Sequence, residues 1–374
     1  MKQKKKLLII SVAAGSGHIR AAEAIYKEAK MAHPHLSVYH MEMTDFVSST
    51  VKKIIADSYN TLIKNFPSLW KFLYKSTDKS TGAKAISELS WFINKFNAAK
   101  FFSLIENFKP DYILTTHFLP AHVLCRSSYT YCSTTPLGVV LTDYAAHNLW
   151  IHPAVSDYFV PTQEVKKQVE KMGAKKFQTH ITGIPIQPVF FEKKSIPRLK
   201  DKFKIATGKK VLLVLAGGEG LIPTDKVIEK IETSIHLPLE VIAVAGNNQH
   251  LYKKFLKLKK RLRNISLHVF EWTNSIDELM RISDVIISKS GGITTTECIT
   301  LQKPILVIDP IPGQEEANAQ FIEKNKFGYV ASNHEELFLY LERLLLGGSS
   351  SLRTSSKKIS SAEKILRILS RNIS

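Results

Sequence analysis

No stretch of this chain stays apolar for anything near the roughly 20 residues that a membrane-crossing helix needs, although 44% of its 374 residues are hydrophobic. A bilayer-spanning helix is therefore not expected. Cysteine is scarce: Cys125, Cys132 and Cys298 are an odd number without metal spacing. That usage suits a reducing compartment and buried, unbridged thiols. Repeats of roughly 20–50 residues are missing, so no solenoid or propeller is expected. Acidic residues are in short supply, 33 Asp and Glu against 52 Lys and Arg, giving a formal net charge of +19. Such an excess attracts polyanions, either nucleic acid or the anionic face of a bilayer. Paired zinc ligands and an aromatic RNA-reading signature are both lacking, so nucleic acid is not the expected partner.

What is present begins at MKQKKKLLIISVAAGSGHIRAAEAIYKEAK. Lysines, an apolar run and the small residues Ala13, Ala14 and Gly15 imitate a cleavable leader. The continuation favours another reading. Ala22, Ile25 and Ala29 recur at helical spacing, with Arg20, Glu23, Lys27 and Lys30 on the opposite side. Strand, glycine turn and amphipathic helix in succession belong to a folded domain, so no signal peptide is expected.

Apolar runs of strand length alternate with helical patterns through both halves. The first half predicts strands at 7–13, 36–42, 111–116, 137–142 and 157–160. The second predicts them at 210–216, 239–245, 265–270, 284–288, 304–308 and 328–331. Runs such as KVLLVLAGG and DVIISKSGG are nearly all apolar and end in glycine. They suit strands of a parallel sheet covered on both faces, with ligands beyond their carboxyl ends. The expected fold class is α/β, with two doubly wound domains in series. Pro185 and Pro188 in GIPIQPVF put the boundary near 184–196. The expected division is 1–184, 185–355 and a closing segment 356–374, in which Ser360 and Glu363 make a capping-box pattern for a short basic helix.

Residues 50–109 break the alternation. This largely helical insert carries ten lysines against four acids, a net of +6. Val51, Ile54, Ile55, Leu62 and Phe66 line one helical face, with Lys53 and Lys64 opposite. Pro67 ends that helix, and Trp70, Phe72 and Tyr74 follow beside Lys71 and Lys75. Two readings stand side by side: an apolar face packed on the sheet, or a basic aromatic flap that settles on anionic headgroups.

The most informative stretch is SKSGGITTTECITLQKPILVIDPIPGQEE. A strand ends at Ser288, Gly291 and Gly292 permit close backbone approach, and Thr294 to Thr296 enter a helix. Free amides and the helix dipole make a site for a diphosphate. Glu297, one turn inside, can accept from ribose hydroxyls, and Gln314 and Glu315 can read sugar hydroxyls.

With GSGH, LTDYAAHNLWIHP, TGIPIQPVF and AGGEG, this stretch resembles the diacylglycerol glycosyltransferases, namely the plant monogalactosyldiacylglycerol synthases and bacterial processive glucosyltransferases. The chain is more distantly similar to the enzyme that adds N-acetylglucosamine to lipid-linked muramyl peptide. The resemblance implies a GT-B type fold, two Rossmann-like domains facing across a cleft, and a closing helix that returns to the first domain. It implies a UDP-sugar (UDP-glucose or UDP-galactose) on the second domain and diacylglycerol on the first. The enzyme would be peripheral, on the cytoplasmic side of a membrane.

The acceptor hydroxyl must lose a proton as it attacks the anomeric carbon, and histidine titrates in the right range. By resemblance His18 is that base, at a helix head whose dipole disfavours its charged form. One displacement inverts the anomeric centre to a β-glycoside. No Asp-x-Asp occurs, so no essential metal and no cofactor are expected. Amides at Gly15, Gly17, Gly217, Gly218, Gly220, Gly291 and Gly292, beside Glu219 and Ser290, are expected to hold the leaving diphosphate instead. Phe270 and Trp272 are placed to border the uracil, or are core aromatics. Asp143, His147, Trp150 and His152 lie on the acceptor side, for acceptor contact or to fix their loop. Pro67 and Trp70 match a region the family associates with lipid handling. One departure is Asn247 or Asn248 in AGNNQ, where relatives often carry a basic residue.

Three alternatives remain from the residues. Transfer to a muramyl-type lipid acceptor fits less well because of the basic insert. A nucleotide-sugar epimerase or hydrolase would have no use for that insert. A non-catalytic lipid-binding protein would not need His18, Glu297 and Gln314.

Overall fold

The computed structural model describes residues 4–13, 15–46, 98–126, 134–217, 224–311, 313–347 and 359–372. The chain divides into two compact units. One is Met1–Pro188 with Pro312–Gln314 and Ile359–Ser374; the other is Val189–Ile311 with Glu315–Lys358. The break after Pro188 is secured within the second unit by Arg281, whose Nη2 donates to the carbonyls of Val189 and Phe190 at 3.0 Å each.

Each unit is built on a six-stranded parallel sheet, and both are Rossmann-like. The first contains β1 (Lys5–Ser11), β2 (Leu36–Glu42), β3 (Tyr112–Thr115), β4 (Leu137–Val140), β5 (Asp157–Val160) and β6 (Thr179–Ile181), in the order β2-β1-β3-β4-β5-β6. The second contains β7 (Lys210–Leu215), β8 (Leu239–Val244), β9 (Ser266–Phe270), β10 (Val285–Ser288), β11 (Ile305–Ile308) and β12 (Gly328–Ala331), in the order β12-β11-β10-β7-β8-β9. The apolar pattern predicts only five strands for the first sheet. The sixth, β6, is a three-residue edge strand paired to β5, too short to show any periodicity.

The all-apolar runs are explained by the layers on either side. Leu8 and Ile10 of β1 face one core with Phe101, Ile105 and Leu124, whereas Leu7 and Ile9 face another with Ala22, Ile25 and Ala29. The first core is closed by α2 (Ala98–Phe108) and α3 (Phe118–Arg126), the second by α1 (Ser16–Ala32). The leader-like run is thus a strand paired on both sides, with Leu7 opposite Val38 of β2 and Tyr112 of β3.

In the second unit the glycine turn after β10 leads into α4 (Gly292–Thr300), and α5 (Gln314–Lys324) follows β11. The last described helix, α6 (Ser361–Asn372), lies on the first sheet's α1 side, with Ala362, Ile365, Leu366 and Leu369 fully buried there. A helix of 12 residues is marginal alone in water. Burial of its three large side chains, worth roughly 1.5–3 kcal/mol each, holds it. Its start is capped as the sequence predicts at one end of the box: Ser360 Oγ accepts from Glu363 N at 3.0 Å and donates to Glu28 at 3.1 Å. Glu363 does not close the box; its carboxylate takes His33 Nε2 at 2.7 Å and Arg367 Nε at 2.6 Å.

Of the basic insert, 50–97 lies outside the described residues, and Lys53, Lys64, Pro67, Trp70 and Lys71 with it. Its described end is α2, whose Phe101, Phe102 and Ile105 are core residues.

Candidate functional site

In the first sheet the chain leaves β1 toward β2 on one side and takes up β3 on the other, so a crevice opens beyond the carboxyl ends of β1 and β3. Three residues meet there. Gly15 turns the chain from β1 into α1 at φ +83°, a conformation that suits glycine, and His18 follows in the first turn of α1. Thr116 follows β3, and Thr142 lies just past β4. His18 Nδ1 is 2.8 Å from the Thr116 carbonyl, and the Thr142 hydroxyl lies 2.9 Å from the same nitrogen. The Thr116 hydroxyl in turn donates to the His18 carbonyl at 2.9 Å. A carbonyl only accepts, so the ring carries its proton on Nδ1, and Nε2 keeps the lone pair.

His18 is 8% exposed, and burial is the main cause that lowers its pKa, while the charge of Asp143 and the bond to Thr116 pull it up. The direction agrees with the sequence-based expectation, but desolvation is the leading cause, not the helix dipole. His117 stands edge-on to His18 at 4.6 Å between ring centroids and is pushed well below the usual histidine range by burial and by neighbouring histidines. His147, also buried, is lowered to about 3. His122 Nε2 lies 2.8 Å from the Leu149 carbonyl, and its ring stands edge-on to His152 at 5.2 Å. His117 and His147 are therefore neutral beside His18 at neutral pH.

The sequence offers Trp150 and His147 for acceptor contact or for fixing their loop. Trp150 is 1% exposed and packs within the core of the first unit against Phe118, His117 and His147. His147 is likewise buried, 3% exposed, and both stand close to His18. Asp143 is half-buried and keeps its electrostatic link to His18. Thr116 is not signalled by any motif, and Thr142 lies in LTDYAAHNLWIHP but is not singled out there.

The second sheet switches direction between β7 and β10, and the glycine turns Gly217 and Gly291–Gly292 follow those two strands. Gly217 has φ +80°, and a Cβ there would come within 3.2 Å of Lys289 Cε. Gly291 caps α4 without any side-chain bond, and Ser290 Oγ donates to the Glu315 carbonyl at 2.6 Å. Thr294 is half-buried and Glu297 is 1% exposed. The Glu315 carboxylate takes Lys289 Nζ at 2.8 Å and the Ile311 amide at 2.9 Å, so it ties turns together. Gln314, half-buried, opens α5.

Phe270 ends β9, the sheet's edge strand, edge-on to Phe203 at 5.9 Å, and Trp272 beyond it is 49% exposed. Asn248 is a helix cap, its side chain accepting from Leu251 N at 2.9 Å, while Asn247 is exposed. Gly218, Glu219 and Gly220 lie outside the described residues. Among the described residues no group of three or more His, Cys, Asp and Glu is arranged to hold a metal ion, and no helix is long and apolar enough to cross a membrane. Among the described residues, Cys125 and Cys298 form no disulfide.

Comparison with known proteins gives concordant matches for the two halves. The family model for monogalactosyldiacylglycerol (MGDG) synthase matches residues 18–186, and that for the glycosyltransferase family 28 C-terminal domain matches 211–368. The processive diacylglycerol beta-glucosyltransferase of Bacillus subtilis (strain 168) is 30% identical over 349 residues, 92% of this chain and 88% of its own. That of Bacillus licheniformis is 28% identical over 373 residues, 99% and 92% of the two chains. Among solved structures, MurG of Acinetobacter baumannii superposes with TM-score 0.61 at 12% identity, covering 98% of this chain and 99% of that one. The UDP-GlcNAc 2-epimerase of Neisseria meningitidis bound to UDP-GlcNAc gives 0.60 at 16%, covering 98% and 100%. At these identities the solved structures establish the fold, which is of the GT-B type.

Proposed function

Because the chain belongs to the family of the diacylglycerol glycosyltransferases, we propose that it transfers a hexose from a UDP-sugar to the hydroxyl of diacylglycerol, with inversion to a β-glycoside. The observation that carries this reading is the state of His18. With its Nδ1 proton held by Thr116 and its pKa lowered by burial, its Nε2 is a neutral base at pH 7. The acceptor oxygen attacks the anomeric carbon, its proton passes to Nε2, and the bond from that carbon to the diphosphate breaks with its electron pair leaving on UDP. A single displacement from a UDP-α-sugar inverts the centre once.

On this reading the second unit holds the donor by the glycine turns after β7 and β10, whose amides face the diphosphate charge without a required metal. Phe270 and Trp272 border the uracil, and Gln314 reads the sugar. The names of the Bacillus relatives favour glucose as that sugar. The first unit takes the lipid, and the +6 insert rests on an anionic leaflet, on the cytoplasmic face of the membrane. The basic insert and the family match also favour diacylglycerol over a muramyl-type acceptor.

The deciding experiment offers radiolabelled UDP-glucose and UDP-galactose in parallel with diacylglycerol vesicles and separates the lipids by chromatography. A labelled glycosyl diacylglycerol from one donor, whose label is released by β-glycosidase, is the expected product. No labelled lipid from either donor would reject the proposal.

A further inference from the structure

Lys289 lies one residue past β10, between the buried Ser288 and Ser290. Its ammonium sits 2.8 Å from Glu315 Oε1, with the side chain 24% exposed. Its stem passes the Gly217 turn so closely that a Cβ on Gly217 would be 3.2 Å from Cε. A lysine stem is thus led along one glycine turn to the mouth of the other, where α4 starts on a glycine with no capping side chain. One turn into α4, the wholly buried Thr295 hydroxyl has no hydrogen-bond partner among the described residues. Glu315 is steadied independently of the lysine, by the Ile311 amide on its other oxygen and by Ser290 on its carbonyl.

Magnitudes say why a cation is needed there. A helix amino terminus offers about half a positive charge. A nucleoside diphosphate ester carries roughly two negative charges, and the departing UDP roughly one more, since each phosphoryl oxygen freed adds one. Amides alone leave most of that charge uncompensated, and Lys289 is the full charge at the turn.

Resting on the donor reading above, we propose that Lys289 is held by Glu315 in the empty protein and transfers to the diphosphate when the UDP-sugar binds, neutralising the leaving group. No proton moves in this exchange: the ammonium trades one anionic oxygen for another. Glu315 acts as a positioning residue that keeps the lysine folded against the Gly217 turn.

The test titrates UDP, and separately uridine, into the full-length protein and its Lys289→Met variant by calorimetry, with kcat and KM for the UDP-sugar measured alongside. The expected result is a loss of UDP affinity of roughly 10- to 100-fold, as for a charge-assisted bond, with uridine binding unchanged and kcat reduced. Lys289→Arg should restore most of the UDP affinity, and Glu315→Gln should bind UDP at least as tightly as the parent. If Lys289→Met does not fold, Lys289→Gln, similar in length but uncharged, serves in its place. Equal losses for UDP and uridine, or no loss for either, would overturn the inference while leaving the donor reading standing. Failure of the unaltered protein to bind UDP would remove both.

Discussion

His18 and Thr116 grip each other at two points: the imidazole Nδ1 donates to the Thr116 carbonyl at 2.8 Å, and the Thr116 hydroxyl donates to the His18 carbonyl at 2.9 Å. One bond sets the tautomer and the other sets the backbone that carries the ring. His18→Ala should therefore lower transfer by about 10²- to 10⁴-fold, the usual worth of a general base, with UDP binding intact by calorimetry. Thr116→Val keeps the carbonyl bond and loses the other, so kcat should fall about tenfold or less at unchanged donor KM. Undiminished transfer by His18→Ala would remove the base from the mechanism.

The pH profile gives a second prediction. Transfer needs neutral His18, whose pKa burial lowers from 6.5 and Asp143 raises. Activity should fall as pH drops through the folded-state value, so the acid limb of kcat/KM lies below 6.5. Asp143→Asn removes the raising charge, and the limb should move further down. A limb that moves up, or stays fixed, would separate Asp143 from His18.

Stability should also depend on pH, through His147. Its folded pKa is about 3 against the ordinary histidine value of 6.5, so below pH 6.5 the unfolded chain takes up a proton that the folded one refuses. Stability from this residue is complete above 6.5, declines as pH falls, and stops declining near 3. At pH 5 the loss is about 2 kcal/mol, and His18 and His117 shift in the same direction. Urea midpoints should drop between pH 7 and 5, and His147→Gln should flatten that slope even if it lowers the midpoint at pH 7.

Membrane attachment can be tested at Lys53, Lys64, Lys71 and Lys75. A basic residue near an anionic leaflet contributes about 1 kcal/mol, so neutralising all four should weaken sedimentation with anionic vesicles about 100-fold or more. The difference should shrink in high salt. Equal sedimentation of parent and variant would reduce these lysines to an ordinary solvated face.

The sheets were largely legible because buried parallel strands write themselves as unbroken apolar runs ending in glycine. Leu7 to Ile10 and Val211 to Leu215 are such runs, with alternate residues facing different layers of helices. β6 was not legible, since three edge residues make no pattern. His18 could be found because GSGH precedes a helical repeat. Thr116 and Thr142 could not: Thr116 sits in no motif, Thr142 stands inside LTDYAAHNLWIHP without any role attached to it, and their value arises only because β1, β3 and β4 are neighbours in the sheet. For Trp150 the sequence leaves acceptor contact and loop-fixing open for a related reason: burial of an aromatic in a polar loop depends on tertiary packing, which here draws it into the core. Lys289 and Glu315 stood inside and beside the recognised glycine stretch, but their pairing depends on β10 lying next to β11.

The return of α6 to α1 has a temporal consequence. His33 and Glu363 meet across a sequence separation of 330 residues, and at ordinary translation speeds that interval lasts on the order of half a minute. While the ribosome works through it, α1 already covers Leu7 and Ile9, but the flank of that core on which Ala362, Ile365, Leu366 and Leu369 come to pack lacks its final cover. The half made first is thus finished last, and the nascent chain must be shielded until the closing helix emerges.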